Sequence, residues 1–274
     1  MQTLYAETYI RDGASPWLVF LHGFGGSTNM WRKQLVFFRQ HYNLLLLDLP
    51  GHGRSREGVA AMGARQFEDV ADVVVNTIRS RGIHKACFIC ASLGTMVFAA
   101  IQSRYPDLVT GAILCGAVAG VSLGWQLVLS VLDRTKRFIP HDFLLKAFAH
   151  VLLPLKGHST SRRFFIESGR QLERSEFLAW FTLIVRNLDM LKKRNAHLKN
   201  VLFISGTEDF TFLRKLIKAL RSRSDLQLTL LGRCGHVCSL QRPREFNSLT
   251  QNYLNRILPP PIENPHCKET HNYG

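Results

Sequence analysis

Acidic residues are scarce in this sequence. Twenty Asp and Glu stand against 35 Lys and Arg, leaving a formal charge of +15 at pH 7 and an isoelectric point near 10.0. A field of that sign excludes an acidic solvating chain and favours anionic partners: nucleic acid, an anionic membrane or an acidic substrate. The basic residues are scattered rather than gathered in one run, so a solvated basic surface is the plainer reading. No recognisable nucleic-acid-binding module accompanies the charge, and no nucleic-acid partner is expected.

Cysteine is also sparse. Six in 274 residues do not make a small disulfide scaffold. Cys87-Phe-Ile-Cys90 spells C-x-x-C, but it lies inside an apolar run that reads as a strand. A period of two sends its thiols to opposite faces, and a redox pair needs a helix N-terminus to stabilise its thiolate. Cys234-Gly-His236-Val-Cys238 has metal-ligand residue types. No second cluster at ligand spacing joins it, so no metal is expected.

Internal repeats are missing. The opening Met-Gln-Thr-Leu-Tyr-Ala-Glu has neither the basic nor the apolar region of a signal peptide, so a cytoplasmic protein is expected. Charge is absent from Leu108 through Leu132, long enough to cross a bilayer. Gly116, Gly120 and Gly124 even repeat at the spacing that brings membrane helices together. Ser122 and Gln126 dilute the stretch, and a strand, a glycine-rich loop and an apolar helix account for it better. No transmembrane span is expected.

What is present is ordinary for a globular protein: 46% hydrophobic, 20% charged and 10% aromatic residues. The length suits one large domain or two small ones with a real core. Apolar runs of strand length occur at Trp17–Leu21, Asn43–Leu47, Ala86–Cys90, Ala112–Cys115, Val201–Ser205 and Leu226–Leu230. Runs without polar alternation fit strands covered on both faces, as in parallel sheets. Helical patterns lie between and after them, at Met30–Gln40, Gln66–Arg81, Thr95–Tyr105, Phe212–Arg221 and Arg244–Ile257. The expected fold class is α/β, a mostly parallel doubly wound sheet.

One interval breaks the alternation. Between Cys115 and Val201 no convincing strand occurs, only helical stretches at Trp125–Val131, Phe143–Leu153, Arg162–Arg170 and Glu176–Lys193. The expected organisation is a core of residues 1–118 and 196–258 with a helical insertion at 119–195. That insertion carries thirteen Lys and Arg against six Asp and Glu, or +7. Residues 259–274 are proline-rich, then polar, and a flexible tail is expected there.

The chemistry centres on Cys90-Ala-Ser92-Leu-Gly94, directly after a strand and directly before a helical pattern. A sharp strand-to-helix turn lifts a serine hydroxyl clear of the sheet and aims helix N–H groups at it. Other polar signals stand at strand ends. His22-Gly-Phe24-Gly-Gly follows the first strong strand, Asp48-Leu-Pro-Gly-His-Gly-Arg-Ser55 the next, Gly206-Thr-Glu-Asp209 the fifth and Gly235-His236-Val the last. All would gather on one edge of a parallel sheet, where ligands of open α/β folds bind. Either Glu208 or Asp209 could supply the carboxylate, and Asp209 is preferred. His22 and His52 read as structural, bonded to nearby backbone.

In order and spacing, HGFGGS at 22–27, DLPGHGRS at 48–55, CASLG at 90–94, GTED at 206–209 and GHVCSLQRPREF at 235–246 resemble the α/β-hydrolase fold superfamily. The resemblance covers about residues 3–258. It implies that Ser92 is the nucleophile, His236 the general base and then acid, and Asp209 the orienting carboxylate. The backbone N–H groups of Phe24 and Leu93 would form the oxyanion hole, and the insertion would be a lid over the pocket. The usual pattern at the serine is G-x-S-x-G, from which Cys90 departs. Such a set does acyl transfer on an ester, thioester, lactone or amide and calls for no cofactor.

Insertion aromatics such as Phe138, Phe143, Phe148, Phe164, Phe165, Phe177, Trp180 and Phe181 favour an apolar acyl or aryl group wherever they face the sheet edge. Arg134, Arg137, Arg162 and Arg186 could meet an anionic group, although surface solvation suits them better. The resulting expectation is a serine hydrolase acting on a small-molecule substrate with a mainly apolar acyl group. Two other readings stand beside it. The short N-terminus, with Pro16-Trp-Leu-Val-Phe-Leu-His-Gly-Phe24 and Asp48-Leu-Pro-Gly-His-Gly53, also resembles the α/β-hydrolase-fold synthase of the menaquinone pathway, a lyase, although that family carries a tyrosine where Ala91 stands beside the serine. A ligand-binding protein that keeps the fold is the third. Nothing in the sequence speaks to oligomeric state.

Overall fold

A computed structural model of the chain describes residues 3–190 and 198–258. The expected flexible tail, and the end of the last insertion helix at 191–193, lie outside the described residues. Seven strands form one sheet: β1 (Ala6–Tyr9), β2 (Trp17–Leu21), β3 (Asn43–Leu47), β4 (Ala86–Ala91), β5 (Val109–Cys115), β6 (Val201–Gly206) and β7 (Gln227–Leu231). Their spatial order is β1-β3-β2-β4-β5-β6-β7. All neighbours are parallel except β1, which runs antiparallel to β3.

Strands β3, β4 and β6 are buried from end to end. Leu44 through Leu47, Ala86 through Ala91 and Val201 through Ser205 are all buried, as strands covered on both faces must be. Alternate residues serve two cores. Val19, Leu45, Phe88 and Phe203 pack on one face, against α2 (Phe67–Arg79) and α3 (Leu93–Arg104). Phe20, Leu46, Ile89 and Ile204 pack on the other, with Phe38 of α1 (Arg32–Phe38) and with Phe246 and Leu254 of the C-terminal helix, Pro243–Ile257. Cys87 belongs to the second core and Cys90 to the first. The C-x-x-C pair is therefore split across the sheet, and burial pushes both thiols up in pKa.

Two differences from the sequence reading have simple causes. Strand β1 carries no apolar signal in the sequence, because it is four residues long, lies at the sheet edge and holds Glu7 and Thr8. The first helical pattern opens as a 3₁₀ turn, Thr28–Trp31, before α1 begins. That turn is tied down where the N–H of Thr28 donates to the buried Asp48 carboxylate at 2.6 Å.

The stretch between β5 and β6 holds α4 (Leu123–Thr135), α5 (His141–Leu152), α6 (Ser159–Gly169) and α7 (Arg174–Arg186). Helix α7 anchors this insertion to the loop after β3. Buried Trp180 donates its Nε1 hydrogen to the Pro50 carbonyl at 2.9 Å. The Glu176 carboxylate lies over Gly51 and Gly58 so closely that any side chain at Gly58 would overlap it. Buried Lys136 ties the end of α4 to α7 through the Leu178 carbonyl at 2.8 Å, and it also contacts Asp133 and Thr182. Among the described residues no helix is long and apolar enough to cross a membrane. The uncharged stretch from Leu108 divides instead into β5, a loop and the start of α4.

Candidate active site

The strand order reverses between β2 and β4, since β3 lies on one side of β2 and β4 on the other. The loops leaving those two strands therefore meet at the point where open α/β sheets bind ligands. Ser92 leaves β4 with φ 47° and ψ −109°, a conformation a side chain rarely adopts. Such strain is on the order of 1–3 kcal/mol and persists only where the surroundings enforce it. Here they do. The Ser92 N–H donates to the Cys115 carbonyl at 2.9 Å, and the Ser92 carbonyl accepts from the Thr95 hydroxyl at 2.6 Å. Helix α3 sits tight on β2: a Cβ at Gly94 would lie 2.3 Å from the Leu21 carbonyl oxygen.

Two loops from the other side of the sheet complete the constellation. The Nε2 atom of His236 lies 2.8 Å from Ser92 Oγ, and its Nδ1 lies 2.7 Å from Asp209 Oδ2. A carboxylate can only accept, so Nδ1 carries the proton and Nε2 is left to accept the serine hydroxyl. Asp209 is itself positioned by the Phe212 N–H on Oδ1 at 3.2 Å. Gly116 (φ 56°) makes room for the histidine, since a Cβ there would lie 2.4 Å from the His236 carbonyl oxygen. Close contact between Gly206 and the Cys234 carbonyl, with the Glu208 N–H donating to that carbonyl at 2.9 Å, holds the Asp209 and His236 loops together.

His236 and Asp209 are buried, 2% and 1% exposed. Burial alone lowers an imidazole pKa. For His236 the adjacent Asp209 charge and its hydrogen bond outweigh that effect, leaving the pKa above the ordinary value. Glu208 points elsewhere, to buried His158 at 2.9 Å, and so joins the insertion to the end of β6. With both ring nitrogens of His236 engaged, the Cys234-x-His236-x-Cys238 run does not present that imidazole outward as a ligand.

His22 and His52 brace the neighbouring loops, as expected. His22 accepts from the Leu49 N–H at 2.9 Å and donates to the Gly23 carbonyl at 2.8 Å. His52 accepts from the Gly25 N–H at 3.1 Å and donates to the Pro50 carbonyl at 3.0 Å. Burial drives both pKa values down, to about 4 for His22 and about 3 for His52. The loop around Phe24 is thus pinned on both sides, with Gly26 N–H closing on the Gly23 carbonyl at 2.9 Å. Gly23 packs against the Ser92 side chain. Leu93 opens α3, so its N–H has no partner in the helix's own ladder.

A partly open apolar pocket faces Ser92 and His236. Phe148, Phe164 and Phe165 of the insertion line it, together with Phe24, Met96 and Leu152. Of the other aromatics singled out in the insertion, Phe177 and Phe181 line an adjoining cavity, Trp180 is core, and Phe138 and Phe143 face outward. Apart from His236 no ionisable side chain lines the Ser92 cavity among the described residues, and Arg134, Arg137, Arg162 and Arg186 all lie away from it.

The sequence profile of the α/β-hydrolase fold matches residues 16–176. The chain belongs to the α/β-hydrolase fold family. It is 28% identical to a pimeloyl-[acyl-carrier protein] methyl ester esterase of Nitrosospira multiformis, over 89% of this chain and 95% of that one. It is 40% identical to the 2-succinyl-6-hydroxy-2,4-cyclohexadiene-1-carboxylate synthase of Klebsiella pneumoniae, over 39% of this chain and 40% of that one. The chain spans 37 to 42% of the length of the synthases and the related hydrolase that it matches over such partial stretches. Among solved α/β-hydrolase structures, the enol-lactonase of Burkholderia xenovorans LB400 superposes with a TM-score of 0.72 at 20% identity, over 92% of this chain and 96% of that one. That likeness concerns the fold.

Proposed function

We propose that this α/β-hydrolase is a serine hydrolase that cleaves an ester, thioester or lactone with a small, mainly apolar acyl group. The observation that carries this reading is the continuous hydrogen-bonded line from Ser92 Oγ through the His236 ring to Asp209, facing an apolar cavity. Ser92 Oγ attacks the substrate carbonyl carbon while its proton passes to His236 Nε2. Asp209 stabilises the imidazolium that forms, and the Phe24 and Leu93 N–H groups receive the negative oxygen. As the intermediate collapses, the bond to the leaving group breaks and that group takes the proton from His236. Water then attacks the acyl-enzyme, giving its proton to His236, and Ser92 departs with the proton returned. The helical insertion serves as the lid that shapes the acyl pocket. The full-length similarity to an esterase supports ester chemistry over other uses of the fold.

The partial similarity to the synthase favours a second reading, a lyase using the same three side chains. Against it, Ala91 replaces the tyrosine characteristic of that family, and no Lys or Arg lines the described cavity to meet an anionic substrate.

A fluorophosphonate probe should label Ser92, and Ser92→Ala should abolish labelling. A panel of p-nitrophenyl esters should show turnover with an optimum in acyl length. Absence of labelling in folded protein points to a ligand-binding role. Pyruvate release from a succinyl-type diacid without ester cleavage points to the lyase.

A further inference from the structure

The surface of α4 is unlike the rest of the molecule. None of its thirteen residues is buried. Leu123 is 79% exposed, Leu127 68% and Val131 51%. These three recur every four residues, so they form one outward stripe. Phe138, 77% exposed, and Phe143, 64% exposed, follow in the chain beyond the helix end. Apolar residues standing singly on a surface need no explanation, but a row of them along one side of a helix marks an interaction face.

Charge selects the partner. The one acid of α4, Asp133, is held by Lys136 and Thr182. Arg134 sits beside the stripe, and the Arg137 guanidinium lies 5.0 Å from the Phe138 ring centroid. The whole chain carries +15. Two copies would repel one another, whereas an anionic bilayer offers both the opposite charge and an apolar phase for Leu, Val and Phe side chains. The inner side of the helix points the same way. Trp125, Val128, Leu129 and Leu132 close over an apolar cavity, which shares Phe148, Leu152, Ile184 and Phe212 with the cavity at Ser92.

We propose that the outward face of α4, with Phe138, Phe143, Arg134 and Arg137, docks on an anionic lipid bilayer. The helix lies in the headgroup plane, and apolar molecules dissolved in the bilayer reach the Ser92 side of the lid through the cavity beneath it. This goes beyond the hydrolase reading and does not need it, because docking is read without turnover.

The experiment is flotation of the full chain with vesicles of phosphatidylcholine alone or containing a third phosphatidylglycerol. Binding is expected only to the anionic vesicles, weakened by salt. Leu127→Glu combined with Val131→Glu should lower partitioning at least about tenfold, and Arg134→Glu combined with Arg137→Glu by roughly tenfold or more. Melting temperature should hold in both double variants, because these side chains are exposed. The proposal is overturned by no binding to either vesicle, or by binding that the α4 substitutions leave unchanged. It is equally overturned if those substitutions abolish a concentration-dependent dimer, or capture of an acidic protein, while vesicle binding is absent.

Discussion

His236 Nε2 and Ser92 Oγ stand 2.8 Å apart although 144 residues separate them in the chain. The contact is made by backbone rather than by long side chains. Ser92 is lifted by a strained turn, and His236 is brought in over Gly116, where no side chain intervenes. Chemistry at this site therefore depends on how the strand-end loops pack.

The two adjacent acids after β6 should separate cleanly. Asp209→Asn leaves the histidine without its charge partner and should cost roughly 10⁴-fold in kcat. Glu208→Gln leaves His236 untouched and loosens the bond to His158, so it should cost about 1–3 kcal/mol of stability with turnover nearly kept. Ester kinetics and urea unfolding on both variants test this. Reversed roles would mean that the acids are misassigned.

The rate should rise with pH through the titration of His236. A general base must be neutral, and Asp209 holds this imidazole above its ordinary pKa despite burial. The acidic limb of kcat/KM should therefore have its midpoint above about 6.5. In Asp209→Asn the opposing charge is gone and burial remains, so the midpoint of the residual activity should move down.

Acid should unfold the protein through its buried loop histidines. His22 and His52 have folded pKa values of about 4 and about 3, below an unfolded value near 6.5. The unfolded chain then binds more protons below pH 6.5. Stability is full above that pH and falls as pH drops towards 4. By pH 5 each group costs about 2 kcal/mol. His236, with its raised pKa, acts in the opposite direction: its contribution is full below pH 6.5 and declines as pH rises through its folded pKa. Urea midpoints at pH 7 and pH 5 measure the balance, which should favour pH 7.

Gly94→Ala should damage both fold and site. Its Cβ would press on the Leu21 carbonyl, a backbone atom that cannot step aside without moving α3 off β2. A loss of about 1–3 kcal/mol is expected, together with weakened fluorophosphonate labelling because Ser92 directly precedes that helix. Unchanged labelling and stability would show that α3 has slack.

Much of the core was legible because its strands are uninterrupted apolar runs. The residues Asn43–Leu47 declare a covered strand without any partner being known. The apolar run Leu226–Leu230 lies one residue ahead of β7, Gln227–Leu231, because Gln227 is polar and exposed while Leu226 is apolar but precedes the pairing. The choice between Glu208 and Asp209 was left partly open by spacing. It turns on His158, fifty residues earlier in the chain, which occupies the Glu208 carboxylate. The insertion was the least legible part. Phe143, Phe148 and Phe165 all fall in helical patterns, yet the first faces outward and the other two line the cavity. That division depends on how Trp180 and Lys136 seat the helices on the core, which periodicity within one helix does not encode.

The fit of Glu176 over Gly51 and Gly58, beside the Trp180–Pro50 bond, makes core and insertion a matched pair. A graft of another relative's helices onto this sheet would have to bring an acid and an indole at those two places. A transplant of these helices elsewhere would need a host whose loop after the third strand is bare of side chains where the carboxylate rests. Diversification of the pocket is thus easiest in the side chains that line the cavity from α5 and α6, such as Phe148 and Phe164, which lie apart from that interlock.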